Sequence, residues 1–187
     1  MPELPEVEAQ RRLLHERAVG SRIKAVVVTE QGGGPRDGEF DDKVIAEGVT
    51  AGQLAAALEG AFILSAQRKG KQLWLELGEA TTGPATRSLL IHLGMTGSVV
   101  VQGVEAPQYK NFTIDIDVWP PRFTKLEMVM SDGAAIAYTD PRRFGRILLR
   151  GADACASPPL SLLARDPVAS PPPVSYTHLR AHETDSY

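Results

Sequence analysis

The chain has 187 residues, 43% hydrophobic and 23% charged, with a formal net charge of −3; this suits a globular domain and excludes a disordered or fibrous chain. Its single cysteine, Cys155, excludes an internal disulfide and a cysteine-based zinc site, and no apolar run reaches the roughly 20 residues of a membrane helix. Charge is uneven, with a net of −4 over residues 1–60, +3 over 61–150 and −2 over 151–187, and a basic middle is as compatible with phosphate contacts as with ordinary solvated surface.

In chain order, "PEVEAQRRLLHERAVG" predicts a helix from Pro5. Leu4, Val7, Leu14 and Ala18 lie near one face, glutamates crowd the first turn, and Gly20 stands just past the end. "RIKAVVVTE" is β-branched and strand-like, "QGGGPRDGEFDD" is a loop by composition, and "TAGQLAAALEG" predicts a short helix capped by Thr50. Seven further strand candidates follow: "AFILSAQR", "KQLWLEL", "SLLIHL", "SVVVQ", "KLEMVM", "AAIAYT" and "GRILLR". Short strands at this spacing predict an antiparallel sandwich or barrel, so the fold class is α+β and mainly β. "NFTIDIDV" alternates, but "WPPR" follows at once, which predicts an edge or loop excursion. The expected domain spans residues 1–150. Residues 151–187 are proline-rich and end in "SYTHLRAHETDSY", which reads as a disordered or non-native tail.

Four constellations stand out. Removal of the initiator methionine would leave Pro2 as a terminal secondary amine beside Glu3, and an α-amino group titrates at about 7.7–8.0, so a useful fraction is nucleophilic at neutral pH. Lys71 sits at the mouth of a strand in "QRKGKQLWLEL", "HLGMTG" places Met95 between two glycines, and "YTDPRRFG" puts Arg142 and Phe144 on a turn. Each also has an ordinary explanation: helix N-terminal charge, an edge lysine that discourages pairing, a core methionine, a stacked surface cluster. Together they are what excision of a base from DNA requires. The nucleotide must leave the stack, at a cost of a few kcal/mol, side chains must fill the gap, and an amine can attack the exposed sugar carbon to form a Schiff base.

"MPELPEVE", "RKGKQLWLEL", "HLGMTG" and "YTDPRRFG", in that order over about residues 1–150, resemble the formamidopyrimidine-DNA glycosylase/endonuclease VIII family, and its plant and fungal branch most. The resemblance implies a β-sandwich of two four-stranded sheets with the N-terminal helix beside it. It implies bifunctional removal of oxidised purines such as 8-oxoguanine and formamidopyrimidines from damaged double-stranded DNA, followed by strand cleavage, in base excision repair. Pro2 would be the Schiff-base nucleophile, Glu3 the general acid/base, Glu6 a supporting residue, and Lys71 a phosphate contact that also moves a proton in elimination. Met95, Arg142 and Phe144 would fill the void left by the flipped nucleotide.

Two departures qualify that match. Where many bacterial members have a DNA-contacting histidine, this chain has Phe123, with Lys125 two residues on. The helix–two-turns–helix element and the zinc or zincless finger would lie beyond this span, so no metal or cofactor is expected within it. His178 and His182 mimic an i,i+4 metal pair without further ligands. The expectations are a monomer with no membrane association, located in the nucleus or an organelle matrix if eukaryotic and in the cytoplasm if bacterial. A span of this length is expected to bind DNA weakly with a shallow salt slope and to excise 8-oxoguanine slowly or not at all. The competing readings are a catalytically impaired binder of damaged or abasic DNA and a β-sandwich interaction protein.

Overall fold

The computed structural model describes residues 2–45, 47–106 and 113–164. Both predicted helices and all eight predicted strands are present: α1 (Leu4–Ala18), β1 (Ile23–Val27), α2 (Ala51–Leu58), β2 (Phe62–Lys69), β3 (Gln72–Gly78), β4 (Arg87–His92), β5 (Ser98–Val101), β6 (Thr124–Met130), β7 (Ala135–Thr139) and β8 (Arg146–Gly151). They form two four-stranded antiparallel sheets, ordered β1-β6-β7-β5 and β2-β3-β4-β8. The fold is therefore the expected two-sheet sandwich with two helices.

The period-2 pattern of the strands builds the core. Leu73, Leu75 and Leu77 of β3, Leu89 and Ile91 of β4, and Ile147 of β8 meet Val99, Val101, Leu126, Met128, Met130, Ile136 and Tyr138 of the other sheet. The intervening apolar residues are buried as well. Trp74, Leu90 and Leu148 stand in register across β3, β4 and β8 on the outer face of their sheet. Ala154 and Leu160 cover them, carried on two short 3₁₀ turns, 154–156 and 160–162. Lys69 Nζ donates to the Leu160 carbonyl at 2.9 Å, and Arg150 Nε to the Pro158 carbonyl at 3.0 Å. Part of the segment after residue 150 thus packs on the sandwich through Ala154 and Leu160, while residues 165–187, with His178 and His182, lie outside the described residues. The excursion before β6 has a matching task. Its described part forms no strand, and Ile114, Ile116 and Trp119 pack over Val100 and Ala137 on the outer face of the second sheet.

α1 closes the side of the sandwich between edge strands β2 and β5. Its buried positions are Val7, Gln10, Leu14 and Ala18, and Leu4 is 39% exposed, which corrects the expected face. Gln10 is buried because its Oε1 accepts the Val99 amide at 2.7 Å, satisfying an N–H that the end of the sheet leaves open. α2 begins as expected, with Thr50 Oγ1 accepting from the Gln53 amide at 3.2 Å.

The cover over the first sheet separates cleanly by substitution. Leu160→Ala empties a fully buried site and should lower stability by about 2–4 kcal/mol, whereas Leu162→Ala, 79% exposed, should change it by less than about 0.5 kcal/mol. Urea denaturation of the two variants checks this.

Candidate active site

Antiparallel pairing brings the sequence motifs to one end of the sandwich. Gln72 pairs with His92, and His92 pairs with Arg146. The three segments just outside that row are the β2–β3 turn with Lys71, the Gly94–Gly97 turn with Met95, and the Asp140–Gly145 turn with Arg142 and Phe144. The first two share their end of the sheet by pairing register, and so does the third. Lys71 and Arg142 are exposed, Met95 is 42% exposed and Phe144 is 50% exposed. Two large apolar side chains standing in solvent beside two cations are an unfavourable surface for an idle protein and a suitable one for stacking against bases. Lys43 adds a further cation, its Nζ 5.6 Å from the Phe144 ring centroid.

The N-terminus is brought to the same end by the direction of α1. The Gly20 amide donates to the Ile63 carbonyl at 2.8 Å, Arg11 Nη1 to the Ala66 carbonyl at 3.2 Å, and Arg68 Nε to Glu8 Oε2 at 2.9 Å. Along α1 these contacts run backward as they run forward along β2, so the two are antiparallel. Pro2 and Glu3 precede the first helical residue, five to six positions (about 8–9 Å of helix rise) beyond Glu8. They stand off the end of the helix on the side of the Lys71 hairpin. Pro2 is buried and Glu3 exposed. Glu6 accepts the Glu3 amide through Oε2 at 2.6 Å, which fixes the backbone that carries both residues.

A relay then joins helix and hairpin. Arg68, 6% exposed, donates to Glu8 and through Nη1 to the Gly70 carbonyl at 2.9 Å, next to Lys71. Glu8 also takes Arg11 and Arg12. The Arg11 hydrogen bond, with Arg68 and Arg12, holds the Glu8 carboxyl down to about 2, against partial burial that acts the other way.

The Met95 turn and the turn bearing Arg142 and Phe144 are knotted together by one carboxylate. Asp140 Oδ1 accepts from Thr96 Oγ1 at 3.1 Å and from the Arg143 amide at 3.1 Å; its Oδ2 accepts from the Gly145 amide at 2.7 Å and from the Tyr138 hydroxyl at 3.4 Å. The Arg142 amide reaches Thr96 Oγ1 at 3.4 Å. The backbones touch where two glycines face each other: a Cβ on Gly94 (φ +63°) would fall 2.5 Å from the Gly145 nitrogen, and one on Gly145 would overlap the Tyr138 hydroxyl. Met95, Arg142 and Phe144 are therefore carried on two turns joined by hydrogen bonds and close backbone contact.

His92 is a residue the sequence reading passed over. Burial lowers its pKa below the ordinary histidine value, the Arg146 charge adds to this, Asp140 opposes it and Lys71 contributes further in the same direction. These effects favour its neutral form, and it stands beside the Lys71 hairpin in register. The local signal was a histidine at a strand end, which alone does not distinguish a ligand from a structural residue. Glu8, Arg68 and Asp140 were equally silent, since their partners lie far off in sequence. Lys125, near the position of the bacterial histidine, is 2% exposed and buried in ion pairs, so it offers nothing to the surface. Among the described residues no group of three or more histidine, cysteine, aspartate or glutamate side chains is placed to hold a metal ion.

Residues 1–147 match the family described as formamidopyrimidine-DNA glycosylase N-terminal domain. The chain is 35% identical over 172 residues to the formamidopyrimidine-DNA glycosylase of Arabidopsis thaliana, covering 91% of this chain and 40% of that protein. It is 34% identical over 175 residues to that of Nocardia farcinica, covering 90% of this chain and 52% of that protein. It thus spans about half the length, or less, of these relatives. Among solved structures it resembles the Lactococcus lactis Fpg in complex with DNA containing an N7-benzyl-Fapy-dG, with a TM-score of 0.56 and 29% identity over 83% of this chain and 46% of that one. It also resembles the same protein with abasic-site DNA, with a TM-score of 0.56, 28% identity and the same coverage.

The depressed Glu8 pKa makes a signed prediction. A carboxylate whose folded pKa is lowered contributes stability that is complete above its unfolded pKa, near 4.5, and is lost as pH falls through about 2. The stability gap between the wild-type chain and Glu8→Gln, from urea midpoints, should be constant above pH about 5 and should close steadily toward pH 2.

Proposed function

The chain belongs to the formamidopyrimidine-DNA glycosylase family, and from that premise we propose that its sandwich is the nucleophile-bearing half of a bifunctional DNA glycosylase/AP lyase of base excision repair. The substrate is damaged double-stranded DNA carrying oxidised purines, 8-oxoguanine and formamidopyrimidines. The protein works on it as a monomer, in whichever compartment holds that DNA. The observation that carries this reading is the convergence of the helix N-terminus, the Lys71 hairpin and the two knotted turns at one end of the sandwich.

In this proposal the unprotonated Pro2 nitrogen, freed by removal of Met1, attacks C1′ of the flipped nucleotide. The N–C1′ bond forms, the glycosidic bond breaks, and the departing base takes a proton. Glu3, exposed beside Pro2, serves as the general acid/base that assists the sugar ring to open, giving a cationic iminium. Loss of a C2′ proton then expels the 3′ phosphate and cleaves the strand. Lys71 holds a flanking phosphate and moves a proton in that elimination, and Glu6 keeps the Glu3 backbone in place. The neutral His92 leaves the cationic task to Lys71 and Arg142. Met95, Arg142 and Phe144 enter the duplex as one unit and occupy the vacated space.

Borohydride should trap a covalent complex between this chain and DNA containing an abasic site, because hydride reduces the iminium irreversibly. One retained residue ahead of Pro2 should abolish trapping with the fold intact. Equal trapping by the extended protein would remove Pro2 from the role. DNA binding with no trapping by the processed protein would leave a damaged- or abasic-DNA-binding module.

Phe144→Ala should slow excision of 8-oxoguanine from a stable pair by about tenfold or more, since unstacking costs a few kcal/mol. Incision at a pre-formed abasic site should change little. Single-turnover rates on the two substrates check this split.

A further inference from the structure

Four charged side chains meet beneath the turn that bears Arg142 and Phe144. Glu30 and Asp41, from the Gly- and Asp-rich excursion after β1, are 2% and 1% exposed, and Lys125 of β6 is 2% exposed. Lys125 Nζ bonds Glu30 Oε2 and lies 3.0 Å from Asp41 Oδ2. Arg143 grips Asp41 with two bonds, Nε to Oδ2 at 2.7 Å and Nη2 to Oδ1 at 2.9 Å. Two carboxylates and two cations balance, and Arg36 stands at the rim, its Nε 3.9 Å from Asp41. The backbone amides of Lys43 and Val44 also point at Asp41 Oδ1, at 3.2 and 3.3 Å, while the Val44 carbonyl accepts the Ile147 amide at 2.7 Å and so pins the excursion to β8.

Arg143 is the residue between the two proposed void-filling side chains, and its φ of +59° is one that a non-glycine residue adopts only when its surroundings hold it there. Its amide is held by Asp140 and its guanidinium by Asp41. We infer that Asp41 is a positioning residue: through its two-pronged bond to Arg143, and backed by Lys125 and Glu30, it sets the conformation of the turn that presents Arg142 and Phe144. This deepens the glycosylase reading and rests on it for the purpose of the turn, though not for its mechanics. Burial alone would push the Asp41 carboxyl up, and the Arg143 and Lys125 bonds hold it well below the usual carboxylate range. Asp41 is therefore a charged anchor across the neutral range.

The test uses the chain in two arms. In the first, without DNA, limited trypsin digestion reads cleavage after Arg142, with circular dichroism reporting the global fold. Asp41→Asn removes the charge at constant size. Arg143→Lys keeps the charge on a half-buried residue but cannot bridge both carboxylate oxygens. Loss of a charge-assisted bond should raise the local opening rate, and cleavage after Arg142, about tenfold or more. Unchanged cleavage in a folded Arg143→Lys chain would overturn the inference, and so would its global unfolding, which would make the contact a fold element only. In the second arm, 2-aminopurine placed opposite an abasic site reports entry of the turn into the duplex. Arg143→Lys should lose most of the fluorescence change while keeping borohydride trapping. A wild-type change retained in full would overturn the inference. Absence of trapping by the wild-type chain would instead overturn the glycosylase reading and leave the digestion result standing.

Discussion

The Asp140 carboxylate is the constraint on which the working end of this domain depends. Four donors from three segments converge on it: Thr96 from one turn, the Arg143 and Gly145 amides from the other, and the Tyr138 hydroxyl from the core. A buried carboxylate with four partners is satisfied, and each partner is satisfied by it. Releasing the buried Gly145 amide in particular would leave a polar group unpaired, at a cost of about 1–3 kcal/mol. Such a knot converts two short turns, which would separately be mobile, into one rigid projection. Under the proposed function rigidity has a use: a side chain that replaces a flipped base has to be in place when the stack opens, and ordering it at that moment would add to the cost of the flip.

The rest of the molecule can be understood as support for this end. α1 lies antiparallel to β2, and so delivers the first residues of the chain beside the hairpin, with Glu8 and Arg68 setting the depth at which the helix docks. The outer faces of both sheets are partly covered, one by Ala154 and Leu160 and the other by Ile114, Ile116 and Trp119 from the excursion before β6. The parts of the site come from the beginning, middle and end of the sandwich, and only antiparallel pairing brings them together.

Much of this was legible in local pattern. Every strand announced itself by β-branched or leucine-rich runs between turn residues, and Thr50 and Gly20 marked helix ends. Consecutive apolar residues such as Leu73–Trp74–Leu75 also carried a signal that alternation alone would not: a strand with both faces buried needs a second cover, which is what residues 152–164 supply. What could not be read is whatever depends on partners distant in the chain. In "KLEMVM" the alternation assigns Lys125 and Glu127 to the water side, yet Lys125 is buried against Asp41 and Glu30, and Glu127 takes Trp119 Nε1 at 2.7 Å. Gln10 gave a polar residue on an apolar face, and Leu4 gave the reverse. Both follow from where the edge of β5 ends, which no window along α1 contains. The Asp41–Arg143 pair spans 102 positions, and Asp-Pro-Arg-Arg by itself describes only a turn.

The charged cluster under that turn also sets the domain apart from what heat resistance alone would favour. Buried ion pairs lose much of their attraction to desolvation, and well-packed apolar replacements of similar volume are often neutral or more stable by about 1–4 kcal/mol. A library of this sandwich ranked on melting temperature would therefore drift toward apolar side chains at Glu30, Asp41 and Lys125. It would recover sturdier proteins whose Arg143 had lost its anchor. Durability and readiness pull these three positions in opposite directions, and the chain has kept the charges.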